Sequence, residues 1–224
     1  MSSTSRKPPF AKPPESSRRA GRPSRSDAEK LRERILAVAT ELLLHHGYGA
    51  TSIEAIAGRA GISKRTFYHR FQDKPALMSA VVTRLIDTQR PPAGAPLVEG
   101  ERIEQMLEHL GSLILHAALN PQVLCLHRLI VAESGRFPDL ARAVARAGGR
   151  QEAVGLIAGL LLRHGHGAVG TAAQAEFCAQ QFLQMIVSLP QLRALGMGAP
   201  MSATELDAWV RDTVGLFLGG LRGR

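Results

Sequence analysis

Leu31, Ile35, Ala39 and Leu42 recur at intervals of four, four and three residues, which lays one apolar stripe along a helix. Ser26 stands before that stripe as its expected N-cap, with Asp27 and Glu29 in a first turn whose dipole favours acids. His46-Gly47 is the expected stop, Gly47 serving as the left-handed residue past the helix end. Thr51-Ser52-Ile53-Glu54 then reads as a capping box, Thr51 the N-cap and Glu54 the third helical residue, opening a short helix through Ile53, Ile56 and Ala57 to Ala60. Gly61 turns the chain and Ile62 fills the corner. Ser63 caps a second short helix from Lys64 to Phe71, and Asp73 caps a third that tolerates Pro75 in its first turn. Two short, half-apolar helices across a tight glycine turn make a helix-turn-helix.

From there on the pattern predicts helices over 74–90, 100–119, 121–134, 138–147, 150–164, 172–189 and 204–220. Pro91-Pro92, Pro121, Pro138, Gly148-Gly149 and the stretch from Pro190 to Pro200 are the expected breaks. No period-two alternation and no internal repeat interrupts this. The expected fold is all-α: a three-helix head over residues 26–75, followed by a helical bundle over 76–224.

Composition agrees with that reading. Hydrophobic residues make up 45% and charged residues 21% of 224, a globular balance that is neither fibrous nor disordered overall. Aromatics are only 4%, which favours helix packing over a β-sandwich. The longest apolar run, Ala153 to Leu162, is too short to span a bilayer. No apolar stretch follows the N-terminal charges, so no export is expected. Cys125 and Cys178 form no metal or redox spacing and fit a reducing cytoplasm, so the expected location is the cytoplasm, on the nucleoid.

The formal net charge of +9 is unevenly distributed. Residues 1–26 hold Arg6, Lys7, Lys12, Arg18, Arg19, Arg22 and Arg25 against Glu15 alone, and residues 27–75 add two further positive charges. A basic first third on a nearly neutral body indicates a polyanion-binding head, or at its far end a solubilising tail. Residues 1–25 contain five of the thirteen prolines and almost nothing apolar, so this basic arm is expected to be disordered. Within it, Arg18-Arg19-Ala20-Gly21-Arg22-Pro23-Ser24-Arg25 resembles an AT-hook, whose Gly-Arg-Pro core would place Arg22 in a narrow minor groove.

The chemistry concentrates on the segment after Gly61. Phe67 and Phe71 are helical neighbours and, with Ile62, are expected to pack inward on Ile53 and Ile56. That leaves Lys64, Arg65, Thr66, Tyr68 and His69 outward. Arg65 has the fork that reads guanine, and Thr66 suits a thymine methyl or a phosphate. Tyr68 and His69 suit phosphates that fix register. Lys74, Thr51 and Ser52 are further candidate phosphate ligands. Each residue alone also fits a solvated helix face; their joint placement points to duplex DNA.

The run Gly47-Tyr48-Gly49-Ala50-Thr51-Ser52-Ile53-Glu54-Ala55-Ile56-Ala57, with Ala60-Gly61-Ile62-Ser63-Lys64-Arg65-Thr66-Phe67-Tyr68-His69-Arg70-Phe71 and Asp73-Lys74-Pro75-Ala76-Leu77, resembles the DNA-binding head of the TetR family. That family often has Gly or Ala where Arg65 stands, which leaves Arg65 as either a sequence reader or a phosphate ligand. Arg128-Leu129-Ile130-Val131-Ala132-Glu133-Ser134 with Arg136-Phe137-Pro138-Asp139-Leu140 resembles the C-terminal domain of the AefR-type subgroup. The resemblance implies a homodimeric regulator, usually a repressor, that binds a palindromic operator and is released by a small apolar effector. Residues 76–224 would then be the effector-binding and dimerisation domain. Its last two helices carry Phe177, Phe182, Met185, Trp209 and Phe217, which fit a dimer interface or an intrachain core. Met106, His109, Leu110, Ile114, Leu124, Cys125 and His127 are candidates to line an effector pocket, or ordinary core.

Enzymatic readings find no support. Gly165-His166-Gly167-Ala168-Val169-Gly170 spells G-x-G-x-x-G, but a helix precedes it where a dinucleotide fingerprint needs a strand, so it reads as a loop. His164 and His166 lack a third metal ligand. No catalytic constellation, metal or cofactor is expected.

Overall fold

The computed structural model describes residues 25–91, 96–165 and 169–222. The basic arm with Arg22, and the middle of the glycine-rich loop at 166–168, lie outside the described residues. Among the described residues there are ten helices and no strand.

α1 (Arg25–Ala50) begins ahead of Ser26, so Ser26 lies inside it and is not its cap. Its straight portion ends at Gly47 as expected, although φ 85° comes with ψ 169°, an extended and not a left-handed helical conformation. Thr51 is not the cap of α2 (Ile53–Arg59). Ser52 is, its hydroxyl accepting the Ala55 N–H at 3.0 Å. Gly61, at φ 65°, makes the turn into α3 (Lys64–Tyr68), where Ser63 caps by accepting from the Thr66 N–H at 3.1 Å. α3 stops three residues before the predicted Phe71; the Arg70 and Phe71 N–H groups both turn back onto the Phe67 carbonyl. Asp73 caps α4 (Lys74–Thr88) by accepting the Ala76 N–H at 2.6 Å.

The body comprises α5 (Ile103–Leu119), α6 (Pro121–Glu133), α7 (Pro138–Ala147), α8 (Gly149–His164), α9 (Ala172–Ala194) and α10 (Ala203–Arg222). α5 starts at Ile103 and not at the predicted Gly100, whose φ of 121° is incompatible with a helix. Pro190 does not break α9; it lies buried inside it. Proline has no N–H for the carbonyl four residues back. The Trp209 indole N–H, reaching across from α10, donates to that Ile186 carbonyl at 2.9 Å and satisfies the acceptor.

Two apolar cores divide the helices. One joins α1–α4 to α6 and α7 through Ile35, Leu36, Ile56, Phe67, Leu77 and Met78, with Leu126, Leu129 and Leu140. The other joins α5, α8, α9 and α10 around Leu107, Leu110, Leu115, Ile157, Phe182 and Val214. α5 and α6 meet at 66° and so serve different cores. The head is thereby packed directly on α6 and α7. No single helix among the described residues is long and apolar enough to cross a membrane.

Candidate nucleic-acid interface

The recognition surface is built on two buried rings. Phe67 is fully buried and Phe71 nearly so, their centroids 5.6 Å apart. Burying such rings is worth roughly 1.5–3 kcal/mol each and fixes how a five-residue helix is rotated. Tyr68 is consequently turned out, 53% exposed, with its ring edge-on to Phe67 at 5.6 Å. His69, Arg65 and Lys64 share its exposure.

These outward groups are not equivalent. Lys64 pairs with Glu54 from α2. That contact raises the lysine's pKa and, with backbone help, lowers the carboxylate's. Both groups thus stay ionised, and the lysine faces an acidic partner at the surface of the free protein. The Arg65 guanidinium has no such partner among the described residues. Thr66 is half-buried, with its hydroxyl 2.9 Å from that of Ser63. Ser52 is exposed at the start of α2.

Two of the phosphate candidates are placed differently from the sequence reading. Thr51 is buried, and its single hydroxyl proton is shared between the Gly47 carbonyl at 2.8 Å and the Leu42 carbonyl at 3.1 Å. It ties α1 to α2 and presents nothing to solvent. Lys74 is half-buried, its ammonium donating to the Tyr48 carbonyl and lying 4.2 Å from the centre of the Tyr48 ring. Burial lowers its pKa, against the opposing pull of Glu133. Sequence reasoning missed both carboxylates that organise these cations. The local pattern around Glu54 reads as a capping box alone, and nothing near Glu133 in sequence signals a partner in the head.

The residues named for an effector pocket have different surroundings. Met106, Leu110 and Ile114 pack into the core shared with α8–α10. His109 turns to the Pro96 carbonyl at 3.3 Å and lies 3.7 Å from Glu99. Leu124 is buried on α6, and His127 and Cys125 are half-buried there, the thiol 3.7 Å from the Leu44 carbonyl. The α5 and α6 faces are divided because each covers a different core. A cleft of about 540 Å³ lies instead between head and body, lined by His46, Gly49, Glu133, Arg136 and Phe137 among others. The proposed dimer residues also separate. Phe182 and Phe217 are intrachain core, 5.0 Å apart, and Met185 and Trp209 are half-buried. Only Phe177 is largely exposed, and the structure adds Leu189, Leu192 and Leu216 to it.

A capped recognition helix held by buried rings on a small helical head, carried by an all-α body, defines a helix-turn-helix DNA-binding regulator. The sequence matches narrow this. Residues 35–81 match the model for bacterial regulatory proteins of the tetR family, and residues 105–220 match that for the C-terminal domain of AefR-like transcriptional repressors. The chain belongs to the TetR family of transcriptional regulators, with an AefR-like C-terminal domain.

Named relatives agree. The HTH-type transcriptional regulator UidR of Escherichia coli K12 is 33% identical over 118 residues, 52% of this chain and 58% of that protein. The chain thus spans little more than half the length of this curated relative. The HTH-type transcriptional activator FasR of Mycolicibacterium smegmatis is 36% identical over 66 residues, 30% of each chain. Among solved structures, a TetR-family regulator from Mesorhizobium loti superposes with TM-score 0.69 at 27% identity, covering 88% of this chain and 98% of that one. The flavonoid-responsive regulator FrrA also superposes with TM-score 0.69, at 26% identity over 86% of this chain and 97% of that one.

Proposed function

We propose that the protein is a ligand-responsive repressor that binds a palindromic operator as a homodimer and leaves it when a small apolar effector binds the body. The observation that carries the DNA half is the outward row of Arg65, Tyr68 and His69 on a helix whose two phenylalanines are buried. In this reading Arg65 contacts a base and Thr66 a base or phosphate, while Ser52, Tyr68, His69 and the Lys64–Glu54 pair meet the backbone. The dimer half rests on Phe177, Leu189, Leu192 and Leu216, large apolar side chains exposed on α9 and α10. The match to a repressor-type C-terminal domain supports repression, and the name of FrrA supports a flat apolar effector. FasR, named as an activator, supplies the opposite sign among relatives.

Gel-shift titration against the region upstream of the protein's own gene tests this reading. The expected result is nanomolar-range binding to an inverted repeat that weakens steeply with salt, because each phosphate contact releases counterions. Addition of flavonoids should release the complex. Deleting residues 1–24 should weaken binding and keep the preferred sequence; loss of all binding on that deletion would instead make the arm the DNA-binding element and overturn the helix-turn-helix reading.

A further inference from the structure

The strongest feature outside the recognition surface is the grip that the body takes on the turn after α1. The Glu133 carboxylate, at the end of α6, accepts the Tyr48 N–H at 2.8 Å with one oxygen and the Gly49 N–H at 2.7 Å with the other. On the far side of the same residue the Lys74 ammonium, from the first turn of α4, donates to the Tyr48 carbonyl. A negative charge at its N–H and a positive charge at its C=O thus hold Tyr48 from both ends, each a charge-assisted bond of the stronger kind. Phe137, in the turn between α6 and α7, packs edge-on to the Tyr48 ring at 5.4 Å.

The flanking glycines fit this grip. A Cβ at Gly47 would collide with the Glu133 carboxylate, and one at Gly49 would stand 3.0 Å from the Phe137 ring and 3.3 Å from Glu133 Oε2. Gly-Tyr-Gly is therefore shaped to admit a carboxylate and a ring from the body, and only a carboxylate offers two acceptors in a fork.

We infer that Glu133 is a positioning residue for DNA binding: it fixes the turn after α1 to the body and, through Tyr48 and Lys74, sets where the recognition helix stands. Lys74 opens the helix that directly follows α3, so displacement of Tyr48 is transmitted to the trailing end of the reader. In a dimer this grip determines the separation of two recognition helices, and that consequence rests on the operator-binding reading above.

The test uses the full chain and two variants. Glu133→Gln replaces one acceptor oxygen with a donor that faces an N–H. Gly49→Ala keeps the carboxylate but drives the turn off it, at a position whose φ is not among the positive ones. Amide hydrogen exchange of the free protein should rise on the order of tenfold at Tyr48 and Gly49 and in the first turn of α4, with α9 and α10 unchanged. Selection from inverted repeats of varied spacer should give one preferred spacing for the parent and a broadened range for the variants, with the half-site bases unchanged. Unaltered exchange at those positions, unaltered spacing, or loss of half-site preference along with spacing would each overturn the inference. If Glu133→Gln fails to fold, Gly49→Ala decides by the same readings. A parent that selects no inverted repeat would overturn the operator reading, and the exchange measurement would still judge the grip.

Discussion

Arg65 and Lys64 are adjacent cations on one short helix, yet only Arg65 is free of an acidic partner among the described residues, since Glu54 holds Lys64. On the operator-binding reading, Arg65 is therefore the cation of this helix available to read a base. Arg65→Ala should cost about 1–3 kcal/mol in operator affinity and relax a single base position, as read by selection from randomised half-sites. A uniform loss on every sequence would make it a phosphate ligand. Thr51 calls for a different measurement, because its hydroxyl is committed to the carbonyls of Leu42 and Gly47. Thr51→Val should lower stability by about 1 kcal/mol in urea denaturation by removing the hydroxyl bond that joins the turn to α1, while the folded fraction binds DNA normally. Residue types were readable from the sequence at this scale, and so was the inward face of Phe67 and Phe71. Partners were not. Thr51, Lys74 and Glu54 all have side chains suited to DNA or capping, and long-range contacts decide which of those chemistries remains available.

Helix existence followed from periodicity throughout, and boundaries shifted by a few residues where a local conformation intervened, as at Gly100 and Ser52. Pro190 is the instructive failure. Its missing N–H predicts a break, but the donor that compensates, the Trp209 indole, belongs to another helix and cannot be read from the local pattern. The pair makes a coupled prediction. Trp209→Phe should destabilise the protein by about 1–3 kcal/mol because the Ile186 carbonyl loses its partner. In a Pro190→Ala background the restored backbone N–H supplies that bond, so the same substitution should cost measurably less. A double-mutant cycle in denaturant reads the difference, and additivity of the two substitutions would show that the indole bond carries none of it.

At the scale of the molecule, amphipathic patterns identify which face of a helix is apolar but not which neighbour covers it. α5 and α6, consecutive in sequence, show this: Leu107, Leu110 and Leu115 join one core, Leu126 and Leu129 the other. The same ambiguity affected α9 and α10, where Phe182 and Phe217 close the interior and Phe177, Leu189, Leu192 and Leu216 remain outside. Leu216 is 70% exposed and is flanked by Gly215 and Gly219, beside which a Cβ would meet nothing. Leu216→Glu should therefore leave intrachain packing intact and convert the protein to a monomer, as measured by light scattering with helicity followed by circular dichroism. A dimer that survives the substitution would move the interface to another face.

The indole that bridges α9 and α10 is also the chain's single tryptophan. Its emission is an intrinsic optical probe half-buried against the second core, where occupancy of the body or association of subunits would alter its surroundings. The reading head contributes no competing signal of that kind, so rearrangement of the body can be timed in stopped flow on the unlabelled protein and compared directly with the departure of labelled DNA.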